Sequence, residues 1–186
     1  MSNAKKTRTE RDSFGEIEVP ADQHWGAQTA RSLHFFAIGN DRMPLEVIHA
    51  LATIKSAAAS VNAELGLLPA DKAKLIVEAA SVVTSGGADG EFPLSTWQTA
   101  SGTQSNMNVN EVIASIANER ATGTRGGKSP IHPNDDVNLS QSSNDAFPSA
   151  IHIAATLAVS NTLLPSLRHL HATISAKAAA WSGIVK

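Results

Sequence analysis

Residues 144–186 read NDAFPSAIHIAATLAVSNTLLPSLRHLHATISAKAAAWSGIVK, and their spacing decides the fold class. Ile153, Leu157, Ser160, Leu164, Leu167, His171, Ile174, Ala178, Trp181 and Val185 step by four and three without a miss. A sustained seven-residue period marks a helix that supercoils against partner helices. A helix of about 40 residues rises roughly 60 Å, more than a domain of this size can cover. The expected partners therefore lie outside this sequence. Pro165 lies inside the pattern, where its missing N–H and its ring predict a kink. The pattern is still running at Ile184-Val185-Lys186, which predicts a chain cut inside an element.

Upstream, the same periodicity predicts more helices. Val47, Leu51, Ile54, Ala58, Val61 and Leu65 form a stripe over 45–65, ended by Gly66 and Pro69. Further helices are expected over about 24–36, 70–84 and 104–118, the last carrying Val109, Val112, Ile113 and Ile116. SGGADGEFPLST (85–96) and ATGTRGGKSPIHPNDD (121–136) read as loops, and residues 1–22 as an extended arm with a turn at Phe14-Gly15. No alternating strand of useful length is visible. The fold class is all-α, with an N-terminal helical domain over 1–140 and the first helix of a bundle domain over 141–186.

The 186 residues include no cysteine, which excludes disulfides and thiolate chemistry, and the formal net charge of −2 gives no global reason to expect nucleic acid. The N-terminus is polar rather than a signal peptide. The longest apolar run, IHIAATLAV at 151–159, is too short to span a bilayer. The expectation is a cytoplasmic protein without a membrane or nucleic-acid partner. GTRGGKS (123–129) mimics a phosphate-binding loop, but only three residues separate Gly123 from Gly127 where the motif needs four, and no strand precedes it. His24, His34, His49, His152, His169 and His171 have no partners at ligand spacing and read as structural.

Three segments concentrate neutral hydrogen-bonding groups: ASGTQSN (100–106), HPNDDVN (132–138) and SQSSNDAFP (140–148). Such residues favour helix caps and turns. They also suit an anion, because a helix N-terminus presents free N–H groups and partial positive charge. His132, in a proline-pinned loop, reads either as part of a capped turn, as an anion-binding loop or as a proton-transfer group. The residues alone leave these readings open.

In order and spacing, SGTQSNMNVNEV, HPNDDVN and SQSSNDAFP resemble the class II fumarases, as do EVPADQHWGAQTARS (18–32) and DGEFPLSTWQT (89–99). The likeness runs from about residue 10 to Lys186. Aspartate ammonia-lyases are similar in all three places, but typically carry threonine in the SSN position and lack the histidine before PND. The resemblance implies reversible hydration of fumarate to (S)-malate without metal or organic cofactor. Carried over by position, it implies substrate contacts from Ser101, Gly102, Thr103, Ser142, Ser143 and Asn144. It implies a second carboxylate site at Ser129, His132, Pro133, Asn134 and Asp135. Family members often place a basic residue where Ser129 stands; here Lys128 is adjacent. The family's Thr-His pair, mobile serine loop and lysine-asparagine pair have no counterpart in residues 1–186. The resemblance thus implies no catalytic residue and no turnover in this chain alone. It also implies a homotetramer whose active sites are each built from three subunits. An aspartate ammonia-lyase fragment and a non-catalytic helical assembly module are the competing readings.

Overall fold

The computed structural model describes residues 6–98 and 102–185. Helices dominate it: α1 (Ala27–Phe35), α2 (Leu45–Glu64), α3 (Ala70–Thr84), α4 (Thr103–Thr122), α5 (Ser143–Ala158) and α6 (Leu164–Ala180). Helix α4 is the core of the unit and packs against α1, α2, α3 and α5. Val109, Val112 and Ile113 are fully buried, and so are Asn110 and Asn118. A helix enclosed on all sides must satisfy its polar groups internally. Asn118 does this by pinning the glycine loop: its Oδ1 accepts from Ile131 N–H at 2.8 Å and its Nδ2 donates to Ile131 O at 3.0 Å.

The N-terminal arm differs from its expected form. It is an antiparallel hairpin of β1 (Thr7–Asp12) and β2 (Gly15–Pro20), in register from Thr7↔Pro20 to Asp12↔Gly15. The turn falls at Phe14-Gly15 as expected, and Gly15 takes φ +108°. The strand was hidden because the inward face of β1 is charged. Arg8 and Glu10 pair at 2.8 Å, and Arg8 donates to the carbonyls of Pro20, Gln23 and Trp25 at 2.9, 2.6 and 2.8 Å. Period-two hydrophobicity cannot report a strand that buries ions.

Helix α2 has the expected bounds within a residue but a different buried face. Ile48, Leu51, Ala52, Lys55, Ala59 and Asn62 are turned inward, while Val61 and Leu65 are exposed. The apolar stripe is the shoulder of that face, because Lys55 and Asn62 are buried in its middle.

From Ser143 to Ala180 the chain is one 38-residue helical run. At Val159–Leu163 the backbone widens into a π-turn immediately before Pro165. Proline withholds the N–H that Asn161 O would otherwise accept, and the insertion lies where that bond is missing. The regular helix ends at Ala180, short of the heptad pattern's reach. Ala146, Ala150 and Ala154 are buried, and α5 packs on α2 and α4. From Ala155 to Val185 every residue is exposed, including Leu157, Leu164, Leu167, Leu170, Ile174 and Trp181. By length and composition this helix could cross a membrane, a point that inspection of uninterrupted apolar runs missed.

Candidate functional site

Helix α4 is entered through Gly102, whose left-handed backbone (φ 62°, ψ 25°) forms the N-cap without a side-chain cap bond. Glycine is needed here for two reasons. The positive φ disfavours other residues, and a Cβ would sit 2.3 Å from the Phe147 ring of α5. This close approach brings the front of α4 to the front of α5. Thr103 Oγ1 and Ser143 Oγ lie 3.0 Å apart.

The front of α4 is capped from outside. Gln98 Oε1 accepts from Ser105 N–H at 2.8 Å, and Gln98 Nε2 donates to Ser105 Oγ at 2.9 Å. Ser142 does cap its helix, accepting from Asn144 N–H at 3.2 Å. Thus two helix N-termini converge on a pair of hydroxyls, a setting that favours a carboxylate. Ser142 and Asn144 are exposed beside that pair. Ser101 lies outside the described residues.

HPNDDVN forms a π-turn, Pro133–Val137, capped by His132. His132 Nδ1 accepts from the N–H groups of Asn134 and Asp135 at 3.2 and 3.0 Å. In the tautomer that accepts these bonds the ring proton lies on Nε2. Asp136 closes the turn, accepting from His132 N–H at 2.7 Å and from Lys72 Nζ at 2.9 Å. His132, Pro133 and Asn134 line a cavity of about 370 Å³ with Arg11, His24 and Lys128. Asp135 and Ser129 do not line it, and neither do Gly102, Thr103, Ser142, Ser143 or Asn144. Both Asp135 and Ser129 are exposed, the latter preceding a cis peptide to Pro130. The residues expected at the second site are therefore only partly gathered.

A buried polar cluster ties the two groups together. Lys55 is fully buried and donates from Nζ to Asn106 Oδ1 at 2.7 Å and to Asn138 Oδ1 at 2.8 Å. Asn138 Oδ1 also accepts from Asn106 Nδ2 at 3.0 Å and Asn110 Nδ2 at 3.3 Å. Its own Nδ2 donates to Gln141 O at 3.1 Å, just before Ser142. Burial lowers the Lys55 pKa from 10.5 to about 7. Among the described residues, no group of three or more histidine, aspartate or glutamate side chains is placed to hold a metal ion.

A family model described as lyase matches residues 15–186. The chain belongs to this lyase family. Among its relatives is the class II fumarate hydratase of Thermosynechococcus vestitus, 61% identical over 97% of this chain and 38% of that protein. The class II fumarate hydratase of Methanosarcina acetivorans is 56% identical over 100% of this chain and 38% of its own length. A crystal structure of class II fumarase from Schistosoma mansoni superposes with TM-score 0.86 at 47% identity, covering 89% of this chain and 35% of that one. The fumarate lyase:delta crystallin structure from Brucella melitensis gives TM-score 0.91 at 39% identity, covering 95% and 41%. The lyase chain thus spans about two fifths of the length of the curated relatives it matches.

Two features of this lyase chain escaped the sequence reading. Lys55 was missed because a lysine between apolar positions reads as solvent-facing. His24 is no isolated histidine. Its Nδ1 lies 3.0 Å from Ser115 Oγ, which itself accepts from Gly126 N–H at 3.0 Å. The Ser115 hydroxyl can thus serve either tautomer of the ring. Burial chiefly, with Arg125 and Arg8 nearby, lowers the His24 pKa from 6.5 to about 4, against the opposing pull of Glu119. The unfolded chain takes up this proton first on acidification. Stability is therefore intact above about pH 6.5 and falls as pH drops towards 4, by up to about 3 kcal/mol. His24→Gln keeps an acceptor for Ser115. In urea unfolding at pH 7 and 4.5, this variant is expected to lose about 2 kcal/mol less than the parent on acidification. Equal acid losses would show that His24 does not resist protonation.

Proposed function

We propose that the protein is a fumarate hydratase catalysing reversible hydration of fumarate to (S)-malate, and that residues 1–186 carry part of its dicarboxylate site. The 3.0 Å contact of Thr103 and Ser143 hydroxyls at two converging helix N-termini carries the reading. Proton removal beside a carboxylate builds charge on that carboxylate, and preorganised donors stabilise it. Gly102, Thr103, Ser142, Ser143 and Asn144 supply those donors, with Ser101. His132, Pro133 and Asn134 form a second, weaker carboxylate site with Asp135 and Ser129 at its rim. No residue of this stretch serves as catalytic acid or base. The relatives' names, fumarate hydratase at 56% and 61% identity, favour this substrate over aspartate.

The exposed stripe of the long helix is the face of a homo-oligomeric bundle, a tetramer, in the cytoplasm. Residues 141–186 begin that bundle domain and 1–140 form the domain before it. Ser160, Asn161, Thr162, Arg168, His169 and His171 occupy the middle of the run, a composition costly in lipid and ordinary in a helical bundle.

The test follows fumarate absorbance with this sequence alone and with it continued by the remaining length of a class II fumarate hydratase. The continued protein is expected to hydrate fumarate and the sequence alone to be inert. A folded, continued protein that consumes aspartate but not malate would overturn the reading.

A further inference from the structure

Lys55 is a buried cation that no carboxylate among the described residues matches. Among the described residues its ammonium bonds only to the neutral amides of Asn106 and Asn138, and it forms no ion pair. Taking an ammonium out of water costs several kcal/mol, and a neutral acceptor offsets this less well than an anion. Its amide partners, however, belong to the candidate site. Asn106 lies one helical turn after Thr103, and Asn138 caps the end of the His132 π-turn. Asn138 in turn holds the carbonyl of Gln141, next to Ser142 and Ser143.

We propose that Lys55 is a positioning residue for the dicarboxylate site: through Asn106 and Asn138 it holds the fronts of α4 and α5 in register, and its buried charge favours the bound dianion from behind them. This rests on the fumarate hydratase reading above. A low-dielectric interior screens a charge less than water does, so Lys55 need not touch substrate to favour it. Burial lowers its pKa to about 7, so a nearby anion is what holds it fully charged at neutral pH.

The test uses the complete enzyme carrying this sequence, as parent, Lys55→Met and Asn106→Asp. Methionine matches the length without the charge; it leaves Asn106 Oδ1 without its donor, so Tm is expected to fall by several degrees. Asn106→Asp keeps an acceptor for Lys55 and leaves the bond from Asn138 to Gln141 O in place, but cancels the ammonium's charge. For both variants KM for fumarate and for malate is expected to rise about tenfold or more, with a smaller fall in kcat. A merely structural lysine would lower Tm equally and leave KM unchanged. Should Lys55→Met fail to assemble, Asn106→Asp decides alone. Folded variants with KM within twofold of an active parent overturn the Lys55 proposal only. A parent without fumarate turnover removes the function reading and this proposal with it.

Discussion

Exchanging Glu111 for alanine is expected to reduce unfolding free energy by about 3–5 kcal/mol. Helix α1 has no side-chain cap of its own at Gly26. Its cap comes from α4. Glu111 Oε2 accepts from Gly26 N–H at 3.0 Å, Thr29 N–H at 3.1 Å and Thr29 Oγ1 at 2.7 Å, while Oε1 accepts from Gln28 N–H at 2.7 Å. A carboxylate at a helix N-terminus meets both free donors and favourable partial charge. Alanine would leave three backbone N–H groups and a hydroxyl without this acceptor in a site that is only 7% exposed. Burial pushes the Glu111 carboxyl pKa up, against the hydrogen bonds from Thr29, Gly26 and Gln28. Glu111→Gln keeps one acceptor oxygen and is expected to lose less. Chemical denaturation followed by circular dichroism gives both values. An alanine variant within 1 kcal/mol of the parent would mean that water replaces the carboxylate, and the capping account would be wrong.

The second large effect is on turnover. In the complete enzyme, Thr103→Ala is expected to lower kcat/KM by about 10²–10³-fold, the usual loss for one preorganised donor to a developing oxyanion. Ser143→Ala is expected to fall in the same range, because each hydroxyl positions the other. The double variant should lose less than the product of the two single losses, since both act on one hydrogen bond. Unfolding midpoints should barely move, as both residues are only partly buried. Turnover of Thr103→Ala equal to the parent would sink the assignment of this hydroxyl pair to substrate.

The hydroxyl pair also shows how far sequence reading reaches. The segments around Thr103 and Ser143 were visible as unusual runs of polar residues ahead of helices. Their meeting was not, because forty residues separate them and Phe147 packing over Gly102 decides the approach. The residues expected at a second site were equally visible, yet Asp135 and Ser129 do not line the cavity that His132 and Asn134 line. A local motif determines the turn, and only packing of the hairpin determines which side of it is enclosed. Helix α2 teaches the same lesson in the core. Its length was legible from its stripe and its Gly66-Pro69 stop. Its orientation was not, because Lys55 and Asn62 are buried through hydrogen bonds to partners far along the chain.

By itself the sequence determined the helical class, the approximate helix bounds and the long heptad helix, because periodicity is local and repeats across many residues. It also determined which segments carry neutral donors. The tertiary structure alone decided the charged inner face of the hairpin, the Glu111 cap on α1, the Lys55 cluster and the meeting of Thr103 with Ser143. Each of these joins polar groups across long stretches of chain. A polar residue's burial depends on whether a distant partner arrives, which its neighbours in sequence do not record.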